Sequence, residues 1–202
     1  IDKHAGILSI SDGKEGGLTA YQILSDHVKR QDPDNKIFIV HRLDRDTSGV
    51  LIFAKNESMQ QQLQNLWQDS KPERTYLAIT EGLVEQKEGV IKSYLKENKA
   101  FVMYSTGNPN EGQLAITRFR TLKSNNDYSL LELKLETGRK NQIRVHLKDL
   151  GHSVVGDKKY GATLNPIGRL GLHASAISFI HPVTNQLINI NTSVPRKFLR
   201  LF

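Results

Sequence analysis

The spacing of apolar positions predicts three amphipathic helices. In residues 17–30, with Thr19 near the expected start, four residues recur at helical spacing: Leu18, Tyr21, Leu24 and Val28. Asn56 is expected to cap a second helix, whose apolar face consists of Met59, Leu63, Leu66 and Trp67. A third helix is predicted from about Lys140 to Leu150, where Gly151 would end it.

Short apolar or alternating runs predict strands over much of the remaining chain. Two continuous apolar runs, 37–40 and 50–54, flank the polar segment His41–Gly49. Further strands are predicted at 74–80, 114–122 and 128–136, and 174–191 is predicted to form a hairpin that turns near Thr184 and Asn185. Strands outnumber helices and short turns join several of them. The pattern therefore predicts an α+β fold with a largely antiparallel sheet.

Composition narrows the class of protein only slightly. The 202 residues lie between the expected lengths of one and two domains. The chain has no cysteine, which excludes disulfides and thiolate metal sites and favours a reducing compartment. A net charge of +7 weakly favours polyanionic partners. No run suits a membrane span or a signal peptide, so we expect a cytoplasmic protein without a membrane partner. Because the chain starts at Ile1, we also expect a segment upstream.

The segment His41–Gly49 concentrates the groups that could carry chemistry. Its sequence, HRLDRDTSG, places two carboxylates, two arginines and two hydroxyls between two predicted buried strands. Catalytic groups are often held on such loops, but Asp, Ser and Gly also form ordinary solvated turns. The paired carboxylates Asp44 and Asp46 would also suit a glycoside hydrolase. The residues alone leave these interpretations open.

The same segment resembles the signature of the RluA family of pseudouridine synthases, in which HRLD is followed by two variable residues and TSG. Further family-like motifs follow in order along most of the chain: DKHAG at 2–6, RTYLA at 74–78, TGRKNQIRVH at 137–146, Gly151-His152, Gly156-Asp157, Tyr160-Gly161, Leu172-His173-Ala174 and His181-Pro182. Two positions depart from the usual pattern. His4 stands where proline is usual, and Asn141 stands where histidine is usual.

The resemblance implies a fold and an activity for the chain. The implied fold is the α+β pseudouridine synthase catalytic fold, with a mostly antiparallel mixed sheet flanked by helices and a central active-site cleft. Residues 1–202 would form one catalytic domain, and the expected upstream segment would be an S4-like RNA-binding domain. The implied activity is that of an isomerase that converts uridine in ribosomal or transfer RNA to pseudouridine. We expect a monomer that needs no cofactor and no metal.

The resemblance also assigns roles to individual residues. Asp44 would be the catalytic carboxylate, Arg139 the guanidinium paired with it, and Tyr76 the aromatic ring that holds the uracil and helps remove its C5 proton. RNA contacts are expected from three residues: Arg42, Gln142 and Arg144. Arg42 is our hypothesis for the group that fills the stack after the uridine is flipped out, because a guanidinium stacks well on bases. Asp46 falls on a variable position and is not expected in the site.

Two other functions compete with the isomerase. One is an RNA-binding module of the same fold without catalysis, which intact residues at 44, 76 and 139 disfavour. The other is the hydrolase, which the basic charge and the extended resemblance disfavour. The histidines at 41, 146 and 173 are scattered and lack close ligand spacing, so we expect hydrogen-bonding framework residues rather than a zinc site. The target RNA and the modified uridine remain open.

Overall fold

The computed structural model describes residues 1–11, 13, 17–69 and 71–202. The chain divides into two compact units. The first unit contains Ile1–Pro72 and Ala176–Thr192, and the second contains Glu73–Ser175 and Ser193–Phe202. Both combine helices with mostly antiparallel strands, so the predicted α+β class is confirmed.

The described residues form strands, helices and one 3-10 turn. In chain order these are β1 (Asp2–Lys3), α1 (Ala20–Gln31), β2 (Phe38–Ile39), β3 (Ser48–Val50), β4 (Phe53–Ala54), α2 (Glu57–Gln68), β5 (Glu73–Glu81), β6 (Glu88–Glu97), β7 (Met103–Thr106), β8 (Gln113–Ser124), β9 (Tyr128–Leu135), α3 (Gln142–Asp149), the 3-10 turn (Lys158–Tyr160), β10 (Leu172–Ile180), β11 (Leu187–Asn191) and α4 (Arg196–Leu199).

Both helices of the first unit begin at the predicted caps. Thr19 Oγ1 accepts a hydrogen bond from the Gln22 N–H at 3.1 Å, and Gln22 Oε1 accepts one from the Thr19 N–H at 2.9 Å. This reciprocal pair satisfies two backbone donors that a helix start otherwise leaves open. Asn56 Oδ1 accepts from the Met59 N–H at 2.8 Å in the same way. The predicted starts of α1 and α2 are therefore confirmed.

Three short strand pairs surround the core of the first unit. β1 pairs antiparallel with β3, β2 with β4, and the end of β10 with β11. The predicted strand at 50–54 is thus two strands with different partners. Their inward side chains form one apolar cluster with α2, which consists of Val40, Val50, Ala54, Leu63, Ile177 and Phe179. The predicted hairpin at 174–191 is confirmed, and Asn185 in its turn has φ +55°.

A five-stranded antiparallel sheet forms the framework of the second unit. Its strand order is β5-β9-β8-β6-β7, with a bulge in β8 between Thr121 and Lys123. β6 and β7 were not predicted. In β6 only Leu95 is fully buried, so this strand lacks the strong alternation that marks β9. α3 packs Ile143 and Leu147 into the main cluster of the unit.

Among the described residues, none of the helices combines the length and apolar character that crossing a membrane requires.

The different burial of two leucines in the second unit predicts different losses of stability when each is replaced by alanine. Leu131 on β9 has no exposed surface, whereas Leu122 at the bulge of β8 is 41% exposed. Leu131→Ala should lower the free energy of unfolding by about 2–5 kcal/mol, because it leaves a cavity in the core. Leu122→Ala, the matched control, should cost less than ~1 kcal/mol. Urea unfolding followed by circular dichroism measures both, and equal losses would contradict this description of the core.

Candidate active site

The loop between β2 and β3 carries Asp44, and its first half is held by framework contacts. His41 Nε2 accepts a hydrogen bond from the Ile52 N–H at 3.1 Å, and the His41 ring stacks on Trp67 with 4.9 Å between centroids. Ser9 Oγ donates to the Leu43 carbonyl at 2.8 Å and accepts from the Leu43 N–H at 3.0 Å. The backbone that leads into the aspartate is therefore fixed.

A buried ammonium group holds the second half of the loop. Lys3 is 2% exposed, and its Nζ donates to the carbonyls of His4 at 3.0 Å, Ile7 at 2.7 Å and Arg45 at 2.9 Å. The Arg45 carbonyl also accepts from the Gly6 N–H at 3.0 Å. A buried charge is costly without hydrogen-bond partners, so the carbonyls must stay within reach of the ammonium group. The contact with Arg45 therefore restricts where the loop backbone can lie.

Asp44 lies on a turn between these two anchors. The Thr47 N–H donates to the Asp44 carbonyl at 3.2 Å and closes the turn. Asp44 is half-buried, while Arg42 and Asp46 are exposed. The first unit thus presents Asp44 from an ordered backbone and leaves Asp46 in solvent, where a paired role with Asp44 is not supported.

Strand β5 of the second unit carries Tyr76 and Arg74 on one face, because residues two apart along a strand share a face. Tyr76 is half-buried and packs against the cluster that contains Ile143. Arg74 is 8% exposed, and its Nε and Nη2 have no hydrogen-bond partner among the described residues. Burial lowers the pKa of Arg74, and attraction to Tyr76 opposes this shift. A Cβ at position 138 would lie 2.4 Å from Arg74 Nη1, so Gly138 leaves room for this side chain.

Gln142 was expected to contact RNA, but its amide is occupied within the second unit. It is 2% exposed, and its Nε2 donates to the Ile116 carbonyl at 3.0 Å and to Thr117 Oγ1 at 2.9 Å. Its Oε1 accepts from Thr137 Oγ1 at 2.8 Å and from the Arg139 N–H at 3.0 Å. With both ends of the amide used, Gln142 shapes the turn before α3 and has little capacity left for a ligand.

The start of α3 explains why the Gln142 side chain is buried within the second unit. The prediction started the third helix near Lys140. Instead α3 starts at Gln142, and five of its eight residues are buried, Gln142 and His146 among them.

The two candidate arginines beside α3 have different environments. Arg139 is exposed, and its Nε donates to the Leu114 carbonyl at 3.0 Å. The Arg144 side chain is only 15% exposed and binds Asp157 through two parallel hydrogen bonds, Nε to Oδ2 at 2.6 Å and Nη2 to Oδ1 at 2.7 Å. Bidentate contacts of this kind hold a guanidinium in one orientation. Arg144 is therefore the more rigidly held of the two.

Three residues around Arg144 were not assigned any role from the sequence. Asn141 accepts from Arg144 Nη1 at 3.1 Å, and the Arg144 guanidinium lies 4.8 Å from the centre of the Tyr160 ring. Asp157 and Tyr160 are each 2% exposed. The motif positions at 156–157 and 160–161 marked two of these residues, but nothing local indicated that they meet the arginine.

His146 is a buried framework residue. Its ring hydrogen-bonds with Ser93 Oγ at 3.0 Å and with Thr117 Oγ1 at 2.8 Å. Burial lowers the pKa of His146 from its usual 6.5 to about 4, against a smaller opposing effect of the Asp149 carboxylate. The imidazole is therefore neutral at pH 7. A neutral ring can donate at one nitrogen and accept at the other, which suits two hydroxyl partners.

Among the described residues, no metal cluster marks this end of the second unit, and the cavity beside Arg139 is lined by charges of both signs. No three histidine, aspartate or glutamate residues in the described part of the chain lie close enough to hold a metal ion. A cavity of about 490 Å³ is lined in part by Arg139, and its other charged lining residues form ion pairs, Lys140 with Glu97 and Lys96 with Glu111. It is not an evident site for an anion.

Comparison with known proteins identifies the class to which this fold and this aspartate loop belong. Residues 1–149 match the family model described as RNA pseudouridylate synthase. The solved structure of human RNA Pseudouridylate Synthase Domain Containing 4 has the same fold, with a TM-score of 0.81 and 24% identity over 98% of this chain and 86% of that one.

Relatives in sequence agree with the family model. The chain is 38% identical over 199 residues to the uncharacterized RNA pseudouridine synthase YhcT of Bacillus subtilis, covering 96% of this chain and 65% of the relative. It is 34% identical over 223 residues to tRNA pseudouridine synthase C of Haemophilus ducreyi, covering 100% and 89%. It is 36% identical over 205 residues to ribosomal large subunit pseudouridine synthase C of Rickettsia bellii, covering 100% and 67%.

The fold and the sequence matches together define a pseudouridine synthase catalytic fold. The chain belongs to the RNA pseudouridylate synthase family, and its resemblance to the RluA type is confirmed. It spans 65% of the length of YhcT and 54% of the length of a second Bacillus subtilis relative, YlyB.

The buried imidazole of His146 predicts a dependence of stability on pH. In the unfolded chain His146 takes up a proton below about pH 6.5, whereas the folded protein resists protonation until about pH 4. Its contribution to stability is therefore present above pH 6.5 and is lost as the pH falls through this window. In His146→Gln, which keeps a donor and an acceptor but cannot titrate, the free energy of unfolding should fall less between pH 6.5 and pH 4. Parallel pH curves for wild type and variant would contradict the assignment.

Proposed function

We propose that this chain is the catalytic part of an enzyme that isomerises uridine to pseudouridine within ribosomal or transfer RNA. The observation that carries the proposal is the half-buried carboxylate of Asp44, held on an anchored turn in a chain that belongs to the pseudouridine synthase family. The names of the relatives from Haemophilus ducreyi and Rickettsia bellii support these two classes of RNA.

The reaction requires little beyond a positioned carboxylate, a base holder and a proton acceptor. The C1′–N1 glycosidic bond breaks, the detached uracil rotates, and a C1′–C5 bond forms. The C5 proton leaves and N1 gains a proton, so the product is an isomer of the substrate. No electrons and no external group are transferred, and we propose that the enzyme uses no cofactor.

Two roles are chemically open to Asp44. Its carboxylate can attack the sugar and form a covalent intermediate, or it can remove a proton from the sugar. Both roles need an ionised carboxylate in a fixed position, and the contacts of Ser9, Lys3 and Thr47 support the second requirement.

We propose that the guanidinium that accompanies Asp44 comes from the segment 137–146. The sequence pointed to Arg139, but that side chain is exposed and its Nε is engaged by Leu114. Arg144 is the better supported candidate, because Asp157 and Asn141 hold its guanidinium in one orientation. Arg139 is then proposed to contact the RNA phosphate backbone.

We propose that Tyr76 holds the uracil. A half-buried ring on the rigid strand β5 offers a flat surface on which a base can stack in either orientation, which the rotation step requires. Its hydroxyl is also proposed to help remove the C5 proton. Gln142 supports this end of the second unit from inside rather than by touching RNA.

We propose that the enzyme is a monomer in the cytoplasm. The lack of cysteine supports a reducing compartment, and the net charge of +7 supports binding to RNA.

The central test compares two neighbouring aspartates. Asp44→Asn should abolish release of tritium from RNA labelled at uracil C5, with a loss of about 10⁴-fold or more, because it removes the reactive carboxylate at nearly constant size. Asp46→Asn, the matched control on the same loop, should retain activity within about threefold of wild type, because Asp46 is exposed. The substrate is tritiated total RNA from cells that lack the gene.

Each competing function has a distinct outcome in this assay. An RNA-binding module would retain RNA and release no tritium. A glycoside hydrolase would release free base or sugar and would depend on both aspartates. Either result would overturn the proposal.

A second test addresses the proposed stacking role of Arg42. Arg42→Ala should lower kcat/KM about tenfold on a uridine inside a structured stem-loop, because stacking on a base contributes roughly 1–3 kcal/mol. It should change activity less than about twofold on a short unpaired RNA, where no vacated stack needs to be filled. Arg30→Ala removes another exposed positive charge, at the end of α1, and serves as the control. Equal losses on both RNAs would contradict the role.

A further inference from the structure

Asn141 has an unusual position at the start of α3. Its backbone is left-handed, with φ +54° and ψ +20°, and its side chain makes no capping bond to the helix although it occupies the N-cap position. Asn and Asp are the usual N-caps because their side-chain oxygen accepts from the first turn. The Asn141 side chain does not stabilise α3 in this way, which leaves its amide able to bind other partners.

The amide joins two residues of the second unit. Asn141 Oδ1 accepts from Arg144 Nη1 at 3.1 Å, and Asn141 Nδ2 donates to the Tyr160 hydroxyl at 3.0 Å. Arginine has only donors, so the carbonyl end of the amide must face Arg144 and the amino end must face Tyr160. The Tyr160 hydroxyl is itself fixed, since it also accepts from the Met103 N–H at 3.2 Å.

Asn141 is one of at least three residues that contact the Arg144 guanidinium in the second unit. Asp157 binds one edge of the Arg144 guanidinium through Nε and Nη2, and the Tyr160 ring lies against the group at 4.8 Å. Asn141 Oδ1 accepts from the third nitrogen, Nη1. Asp157 places a negative charge beside Arg144. Asn141 holds the same guanidinium but adds no charge.

We propose that Asn141 is a positioning residue that fixes the Nη1 end of Arg144 through a neutral hydrogen-bonded bridge from Tyr160. The proposal rests on the proposed role of Arg144 beside the catalytic carboxylate. The neutrality of Asn141 matters because a carboxylate at position 141 would weaken the attraction of the Arg144 guanidinium for Asp44 and for RNA. An amide constrains the arginine and leaves that attraction intact.

The position has two requirements, which few side chains meet. The residue must tolerate positive φ, which asparagine does more readily than most residues, and it must donate on one side and accept on the other. A neutral histidine meets the second requirement through its two ring nitrogens. This accounts physically for an asparagine at a position where RluA-type sequences usually have histidine.

The first experiment removes the amide without disturbing the backbone. Asn141→Gly keeps the left-handed conformation at little cost, since glycine adopts positive φ freely. It should lower kcat for tritium release from total RNA about tenfold while KM changes less than about twofold. Asn185→Gly is the matched control, because Asn185 is also left-handed, at φ +55°, in the β10–β11 turn of the first unit. It should retain wild-type kcat.

The second experiment uses a pH profile that a purely structural role would not change. Asn141→His should be nearly as active as wild type at pH 8, where the imidazole is neutral. Its activity relative to wild type should fall at least fivefold below about pH 6.5, because an imidazolium has no acceptor for Arg144 Nη1. Three positive groups oppose protonation of the introduced histidine: Arg144, Lys140 and the N-terminus of α3. Two carboxylates favour it, those of Asp157 and Glu97.

A measurement on the arginine itself separates this proposal from the proposed function. NMR of ¹⁵N-labelled protein reports how fast the guanidinium of Arg144 rotates about Nε–Cζ. Rotation should be slow in wild type and at least severalfold faster in Asn141→Gly, and unchanged in Asn185→Gly. If wild type releases no tritium, the proposed function fails, while the NMR comparison still decides whether Asn141 holds Arg144.

Two results would overturn the proposal. The first is unchanged rotation of Arg144 in Asn141→Gly. The second is an Asn141→His variant whose activity follows the wild-type pH profile throughout. If Asn141→Gly does not fold, as judged by circular dichroism, the pH profile of Asn141→His decides alone.

Discussion

The ion pair of Arg144 with Asp157 is the interaction on which the local structure around the start of α3 depends. Asp157 is almost fully buried, the Arg144 side chain is 15% exposed, and both oxygens of the carboxylate are used. Loss of one partner of such a pair leaves a buried charge and typically costs about 3–5 kcal/mol. Asn141 and Tyr160 contact the same guanidinium, and Gln142 secures the preceding turn. The start of α3 is therefore set by buried polar contacts rather than by an ordinary helix cap.

The first unit follows the same physical rule with different residues. A buried ammonium, Lys3, gathers three carbonyls and so restrains the loop that carries Asp44. In both units a buried polar group restrains a segment that presents charged residues. Such restraint is useful in catalysis, because groups that are already in place need no reorganisation when charge develops in the transition state. The cost of burying polar groups is offset by complete hydrogen bonding.

Much of the local structure could be predicted from the sequence, and the failures share a cause. Residues close together in the chain encode the caps at Thr19 and Asn56 and the alternation in β9. β6 was missed because its contacts with β7 and β8 form it without a marked apolar pattern. The burial of Gln142 was missed because its partners at Ile116 and Thr117 lie on a strand remote in the chain.

By itself, the sequence determined the α+β class, the two capped helices, the family and the loop of Asp44, because short-range spacing and contiguous motifs carry that information. The tertiary structure alone decided which arginine is rigidly held and what Gln142, Asn141 and Tyr160 do. Arg144 meets Asp157 13 residues away, and Asn141 meets Tyr160 19 residues away. The geometry of a hydrogen bond between such residues depends on how the intervening chain folds, and no local pattern records it.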